Sequence, residues 1–599
     1  MAGRPWKGAD LACLAVLLGS RLAVLVGAHA DPVFRIPYLD GAFYQTWARS
    51  LVERHADFVG PYFLGPLYPY FLAGLFAIWG PDLLAVRLVQ SALGVLDGLL
   101  VLAITRRVWG ARPARFAIVL FALYGPMVFY ENLLVMESLV TTLALGALAV
   151  AIVPSEHARA RAAASGFLLG LASLGRPTAL VALPVMLLAL REAAHDPQDA
   201  SAAKTANRRD RQATAVPRYQ PGVLGLAAAI AAGCLIALLP VLVRNVRLGG
   251  GLAITTNGGI NFYAGNNPAA NGRFHEPPGV RFFCDPVLSS AAEAALPPAV
   301  AARALTVRAV AGTEEAARSR LWTARAFDWM RAEPLDAALL FVRKAWLVLQ
   351  AREVPQIESY EFHARRLVAL RLLFVDFGWL WPLAFLGLWS ARRERLPGWR
   401  SLAAFGAVML LPCLLFFVTA RYRLACVPVV AAFAGLGACW FVAQVRGRAW
   451  RRTALAVAAL LPVVVLAQLG ARPARGAAGW ESAQMAERLY AAGDLEGAIR
   501  FQEEAARLLP NRWEPALNLA LYWSERERPG DLDQAARTLR DLGRRWPKEA
   551  IVQFNLGLLL EQQGDLEAAR QAWGRALAAD PNFEPARSQL LKTIPGRGR

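Results

Sequence analysis

The chain has 599 residues, of which 56% are hydrophobic and only 18% charged, with a formal net charge of +20. A soluble domain carries about 25% charged residues, and many windows here of about 20 residues, the length that spans a bilayer, hold no acid or base. Composition thus excludes an ordinary soluble protein, and the basic balance needs no nucleic acid, because Lys and Arg on cytoplasmic loops follow from the positive-inside rule.

The first apolar stretch, "LACLAVLLGSRLAVLVGAHA", ends in Ala28-His29-Ala30, which has the form of a signal-peptidase site. It is longer than a usual signal core and carries Arg21 at its middle, so we read a retained helix in which Arg21 has a partner inside the bundle. Further spans are expected at 84–105, 114–130, 138–153, 162–175, 178–190, 222–246, 371–390, 400–419, 424–445 and 453–470, about eleven with the first. With the N-terminus inside, "RRVWGARPAR", "PSEHARARA", "REAAHDPQDASAAKTANRRDR", "SARRERLPGWR" and "VRGRAWRR" all fall on the cytoplasmic side. The short outer loops are nearly free of Lys and Arg, as the charge rule requires. An odd number of spans places the C-terminus outside, in a cell (inner or plasma) membrane protein.

"GPLYPYFLAGLFAIWG", 65–80, is apolar enough to compete as a span, but counting it would send "RRVWGARPAR" outside. It therefore reads as an interfacial or re-entrant helix in the first outer loop, 29–83, with Tyr and Trp at the headgroups. A larger outer loop, 248–370, contains the turn-rich "TTNGGINFYAGNNPAANGRF". Five of the six cysteines fall in apolar spans and only Cys284 in an outer loop, which leaves no internal disulfide. The six histidines are scattered, no zinc-like spacing occurs, and no metal site is indicated.

The membrane domain is expected over 1–470 and a second domain over 480–595, where the composition turns charged and helical. "GDLEGAIRFQEEAARLLPN", "GDLDQAARTLRDLGRRWPK" and "GDLEAARQAWGRALAADPN" begin at Gly493, Gly530 and Gly564, each with a proline seventeen residues later. Spacings of 37 and 34 bracket the tetratricopeptide period. Three helix pairs are about the minimum for a stable stack, and such a stack implies protein or peptide contact.

The chemistry candidates lie on the outer side. Asp40, in "YLDGAFYQTW", reads equally as an N-cap of the helix that follows and as a carboxylate facing a cavity, and both can hold. Glu131 and Glu137 flank the turn in "YENLLVMESLV", where an acid also suits a helix start. Acids so near lipid must face protein or water, and carboxylates gathered on one face fit proton removal from an acceptor whose donor is held in the bilayer. A phosphate-bearing donor needs cations. Arg421 and Arg423 in "TARYRLACVP", Arg176 in "LGRPTAL" and Lys344 in "FVRKAWLVLQ" are the candidates. Snorkelling is the competing reading, favoured for Arg343 and Lys344, and a structural role in the helical hairpin is favoured for Arg176.

"LDGAFYQTWA", "GPLYPYFLAGLF", "VRLVQSALGVLDGLLVLAITRRVWG", the "ESL" turn, "GRPTAL" and "TARYRLACVP", in this order over residues 8–450, resemble the GT-C glycosyltransferases of the family 39-like branch. That branch includes protein O-mannosyltransferases and lipid A aminoarabinose transferases. The resemblance implies an all-α, polytopic membrane GT-C fold of about eleven spans, here joined to a tetratricopeptide α-solenoid. It also implies an inverting transfer of a hexose or pentose from a polyprenyl-phosphate to a protein, lipid or glycan acceptor on the extracytoplasmic face. The polyprenyl-phosphate sugar is then a co-substrate, with no cofactor or divalent metal. Asp40 takes the place of the base, with Glu137 beside it; Tyr44, Tyr62, Tyr68 and Glu131 are expected to line the substrate. Phe43, Tyr44 and Trp47 offer stacking faces or, the favoured reading, interfacial anchors. Two departures stand out: Gly41 where the family often has a second acid, and Gly65 where relatives carry a lysine. Other readings are a surface-polysaccharide polymerase or ligase, and a non-enzymatic anchor that displays the repeats. A transporter is disfavoured, because no repeated spans are evident.

Overall fold

A computed structural model of the chain describes residues 8–53, 60–153, 157–194, 222–274, 315–470, 476–526 and 528–593. Most of the expected cytoplasmic loop 191–221, and Cys284, lie outside the described residues. The chain divides into two compact units, Met1–Ala471 and Arg472–Arg599. Both are all-α among the described residues, with only isolated bridges between Tyr124 and Val375 and between Arg273 and Val418.

In the first unit the elements are α1 (Gly8–Ala30), α2 (Asp40–Val52), α3 (Leu67–Trp79), α4 (Leu83–Trp109), α5 (Ala111–Ala122), α6 (Gly125–Tyr130), α7 (Glu137–Ile152), α8 (Ala158–Gly175), a 3-10 turn (Pro177–Ala182) and α9 (Leu183–Ala194). There follow α10 (Val223–Arg247), α11 (Gly258–Gly265), α12 (Glu315–Ala332), α13 (Pro334–Val348), α14 (Tyr360–Arg366), α15 (Phe377–Arg393), α16 (Trp399–Leu415), α17 (Ala420–Leu424), α18 (Val427–Arg446) and α19 (Trp450–Leu469).

Among the described residues, six segments are long and apolar enough to cross a membrane: α1, α4, the 3-10 turn with α9, α10, α18 and α19. The other expected spans differ for local reasons. The 114–130 span is broken, because the chain leaves the helix at Leu123–Tyr124, where Tyr124 bridges to Val375. The 138–153 and 400–419 spans correspond to shorter apolar helices, α7 and α16. Helix α3 has 13 residues, about 20 Å at 1.5 Å per residue, and so falls short of a bilayer core of about 30 Å.

Small residues draw the long helices together. A side chain at Gly166 of α8 would come within 2.0 Å of the Ile230 carbonyl oxygen of α10, and one at Gly233 within 2.0 Å of the Ala163 oxygen. Gly387 of α15 and Gly437 of α18 stand in the same relation to Phe433 and Leu383, at 2.0 and 2.1 Å. Such contacts let backbones touch where lipid offers no hydrophobic drive between helices. Arg21 is buried in α1 and donates from Nη2 to Glu131 Oε1 at 3.0 Å, the intrabundle partner that an arginine in an apolar span demands.

The second unit contains α20 (Ala477–Ala491), α21 (Leu495–Leu508), α22 (Glu514–Arg526), α23 (Asp531–Arg545), α24 (Ala550–Gln562), α25 (Leu566–Ala579) and α26 (Glu584–Lys592), three helix pairs and a final helix. Gly493, Gly530 and Gly564 hold φ of 80, 86 and 85°, the left-handed turn that ends each first helix. Asp494 and Asp565 then cap the second helices, accepting from the amides of Gly497 and Ala568. Asp531 breaks the pattern: Gly530 takes the cap position, and the Asp531 carboxylate instead receives Arg526 at 2.8 Å. Trp573 is wholly buried and lies over Gly557, where a Cβ would sit 2.3 Å from its indole nitrogen.

Candidate active site

Four charged side chains from four elements meet in the first unit. Asp40 belongs to the first turn of α2 and Glu137 to that of α7; Arg176 directly follows α8, and Arg421 lies in α17. Arg421 Nη1 donates to Asp40 Oδ2 at 2.7 Å and its Nε to Glu137 Oε1 at 2.6 Å. Arg176 Nη2 donates to the same Glu137 oxygen at 2.7 Å, and its Nη1 to the Arg421 carbonyl at 3.1 Å. Exposure is 7% for Asp40, 3% for Glu137, 9% for Arg176 and 3% for Arg421. Two cations and two anions cancel, which is what burial of charge requires.

The set is not saturated. Glu137 Oε2 and Arg176 Nε are buried without a hydrogen-bond partner among the described residues, as is the Tyr44 hydroxyl. Arg421 Nη2 and Asp40 Oδ1 likewise have no hydrogen bond to the described residues. Buried donors and acceptors left over in this way call for an explanation beyond the ion pairs themselves. Burial, and then the negative charge of Asp40, push the Tyr44 phenol upward, so it stays a neutral donor.

The local backbone explains why Asp40 faces the cations. Leu39, not Asp40, is the N-cap residue, and it sits at φ 44° in the left-handed region with no side-chain cap bond to the helix. A non-glycine residue is strained there. The capping reading of Asp40 is therefore corrected: its carboxylate turns to Arg421. One of the two departures from the family pattern has a steric cause. A side chain at Gly65 would come within 2.5 Å of the carbonyl oxygens of Leu174 and Gly175, so no lysine fits there. A Cβ at Gly41 would make only ordinary contacts with Leu134 and Pro37, at 3.4 and 3.6 Å, and nothing in the structure explains the glycine there.

The other candidates are sorted by burial. Tyr44 and Tyr68 pack edge to face with ring centroids 5.2 Å apart, and Tyr68 donates to Gln90. Tyr62 turns elsewhere: its ring carries the Arg244 guanidinium at 3.9 Å and its hydroxyl meets Tyr70. Trp47 is buried and packs on Tyr62, as Tyr44 does on Tyr68, which corrects the expectation of interfacial anchors for both. Glu131 is held by Arg21, apart from the Asp40 set. Arg423 is not brought to it either: it donates to the carbonyls of Val348 and Gln350, pairs with Glu353 at 2.6 Å and lies over Phe377. Lys344 does not snorkel; it is buried and donates to Asn266 at 2.9 Å, and burial pushes it down to about 8, whereas Arg343 is exposed.

Sequence reasoning missed the second ionic set, built of Glu353, Glu361 and Arg423, with Tyr124 donating to Glu353. Glu353 and Glu361 fall in the long loop 248–370, where local pattern signals neither burial nor pairing with Arg423. It also missed Asp97, which is wholly buried in α4, although an acid in "GVLDGLLVL" was signal enough.

Two parts of the chain match known families. Residues 61–195 match the family described as dolichyl-phosphate-mannose-protein mannosyltransferase. Residues 525–583 match the tetratricopeptide repeat. One chain thus carries a match to a mannosyltransferase family model and a match to the tetratricopeptide repeat. No curated protein matches it. Among solved structures it is similar to the apo oligosaccharyltransferase of Archaeoglobus fulgidus, at 15% identity over 78% of this chain and 57% of that one, with TM-score 0.37. The same organism's AglB, in complex with an inhibitory peptide and a dolichol-phosphate, gives 16% identity over 79% of this chain and 58% of that one, with TM-score 0.38. ArnT from Cupriavidus metallidurans bound to undecaprenyl phosphate gives 14% over 96% and 76%, with TM-score 0.37. The chain thus spans just over half the length of the archaeal enzyme.

Proposed function

We propose that this membrane protein is a glycosyltransferase that moves a sugar from a polyprenyl-phosphate to an acceptor on the extracytoplasmic face. The observation that carries the reading is the buried Asp40–Arg421–Glu137–Arg176 set with its unused donors and acceptors. Asp40 takes the proton of the acceptor nucleophile as that atom attacks the anomeric carbon. The bond from this carbon to the lipid phosphate breaks, configuration inverts, and the phosphate leaves with the electron pair. Arg421 holds Asp40 through Nη1 while Nη2 meets the phosphate; Arg176 adds a second positive charge beside it. Fixed cations aimed at a developing anion are an effective means of stabilising a transition state. Glu137 keeps both guanidiniums in place and Tyr44 lines the acceptor side. The transferred unit is a hexose or pentose, and the reaction draws on no divalent metal. The protein sits in the plasma or inner membrane, its N-terminus cytoplasmic and its repeats extracytoplasmic, where they engage a protein partner or acceptor.

The test is transfer in proteoliposomes containing the full chain and a radiolabelled polyprenyl-phosphate hexose or pentose, with and without excess EDTA. Labelled acceptor and free polyprenyl phosphate in equal amounts, unaffected by EDTA, are expected. Donor that stays intact across hexoses and pentoses would sink the reading; loss of transfer in EDTA would remove its metal-free form.

A further inference from the structure

The repeat unit contains a basic groove apart from the candidate active site. It encloses about 880 Å³ between the C-terminal halves of α23 and α25, with α24 as its floor. Arg540 and Arg544 of α23, Lys548 of the following turn and Arg575 of α25 line it, Gln553 and Leu556 of α24 form the base, and no lining residue is acidic. All four cations are exposed at its surface.

Their partners are few. Arg540 and Lys548 have no ion pair or hydrogen bond among the described residues. Arg544 reaches only Asp541, at 3.5 Å, with both side chains more than half exposed, a contact of little worth in water. Arg575 is set in position: its Nε donates to Gln553 Oε1 at 3.1 Å, and Gln553 Nε2 donates to the Gly543 carbonyl at 3.1 Å. Gly543 makes that bracing possible, because a Cβ there would come within 2.8 Å of Gln553 Nε2. The terminal nitrogens of Arg575 are left for a ligand. Helix C-termini favour nearby cations, which accounts for Arg544 singly but not for four cations converging on one concavity.

We infer that this groove binds an extended acidic segment of a partner protein. Its concave shape and apolar base, Leu556 with the aliphatic stems of the arginines, suit a peptide whose carboxylates alternate with small side chains. A bilayer surface is the less fitting occupant, since the cations here line a hollow. The inference rests on the repeat fold and not on the transfer chemistry, so it stands or falls separately from the proposed activity.

The test uses the full chain in nanodiscs of phosphatidylcholine alone and a fluorescein-labelled decapeptide of alternating Glu and Ser, with a Gln-and-Ser peptide as control. Fluorescence anisotropy should show tighter binding of the Glu peptide by about tenfold, weakening with salt over the range in which charges are screened. R544E/R575E should lose that preference, as should the milder R540Q/K548Q, whereas R500E, at an exposed position of α21 outside the groove, should keep it. Unchanged helical circular dichroism shows that the variants are folded. Equal binding of the two peptides, no binding of either, or equal loss in R500E overturns the inference. So does a result in which the variants lose only association with phosphatidylglycerol vesicles, which would make the groove a membrane contact.

Discussion

Glu137 joins the two cations of the cluster, because one of its oxygens accepts from both Arg421 and Arg176. Removing one partner of a buried ion pair costs about 3–5 kcal/mol, since the other charge is left uncompensated. Glu137→Gln keeps an acceptor oxygen but leaves two guanidiniums facing one carboxylate. It should therefore lower both thermal stability in detergent and the transfer rate. Asp40→Asn leaves Arg421 still paired to Glu137 and should be the more stable of the two. Equal melting temperatures for wild type and Glu137→Gln would contradict this division of roles. Tyr44→Phe deletes a hydroxyl that has no hydrogen-bond partner among the described residues, so stability should hold while the acceptor KM rises; an unchanged KM would remove Tyr44 from the substrate-lining set.

Between elements, buried charges act as stitches. The Arg21–Glu131 pair ties α1 to the turn between α6 and α7. Arg21→Met alone should destabilise by about 3–5 kcal/mol, and Arg21→Met/Glu131→Leu should recover most of it, because a packed apolar pair replaces a buried ionic one at little cost. Denaturation of the single and double variants checks this. On α14, burial and then the charge of Glu353 push Glu361 up to about 7 from an ordinary 4.5. A raised carboxyl binds its proton more tightly when folded, so its contribution is full below pH 4.5 and is lost as pH rises through about 7. Glu361→Gln, always neutral, should match wild type at about pH 4, below the ordinary value, and exceed it in melting temperature at pH 8; the reverse order would refute the assignment. Much of this was legible in advance. An arginine inside an apolar helix demands a partner, and the Gly–Asp and Pro positions marked the repeats. What could not be read was which distant residues meet. Asp40 and Arg421 are 381 positions apart, and Arg423, two residues from Arg421, turns to a different set of partners. Lys344 looked like an interfacial cation because local pattern does not report Asn266 beside it.

At the scale of the whole molecule, the proposed function assigns chemistry to one compact unit and recruitment to the other. Removing 476–599 should leave transfer to a small acceptor intact while slowing transfer to a protein acceptor; loss of both, with normal insertion, would place the repeats in the chemistry. Cysteine labelling within 191–221 and 480–599 should report opposite sides of the membrane, and labelling from one side would overturn the topology. The central claim is that Asp40 is the base of a lipid-to-acceptor sugar transfer, and it is tested most directly by one comparison in the reconstituted full chain. Asn fills the space of Asp but accepts no proton, and general-base contributions are on the order of 10²–10⁴ in rate. Single-turnover transfer from a labelled polyprenyl-phosphate sugar should be at least about a hundredfold slower in Asp40→Asn, with donor binding retained. Transfer at the wild-type rate would contradict the account and return Asp40 to a purely structural ion pair with Arg421.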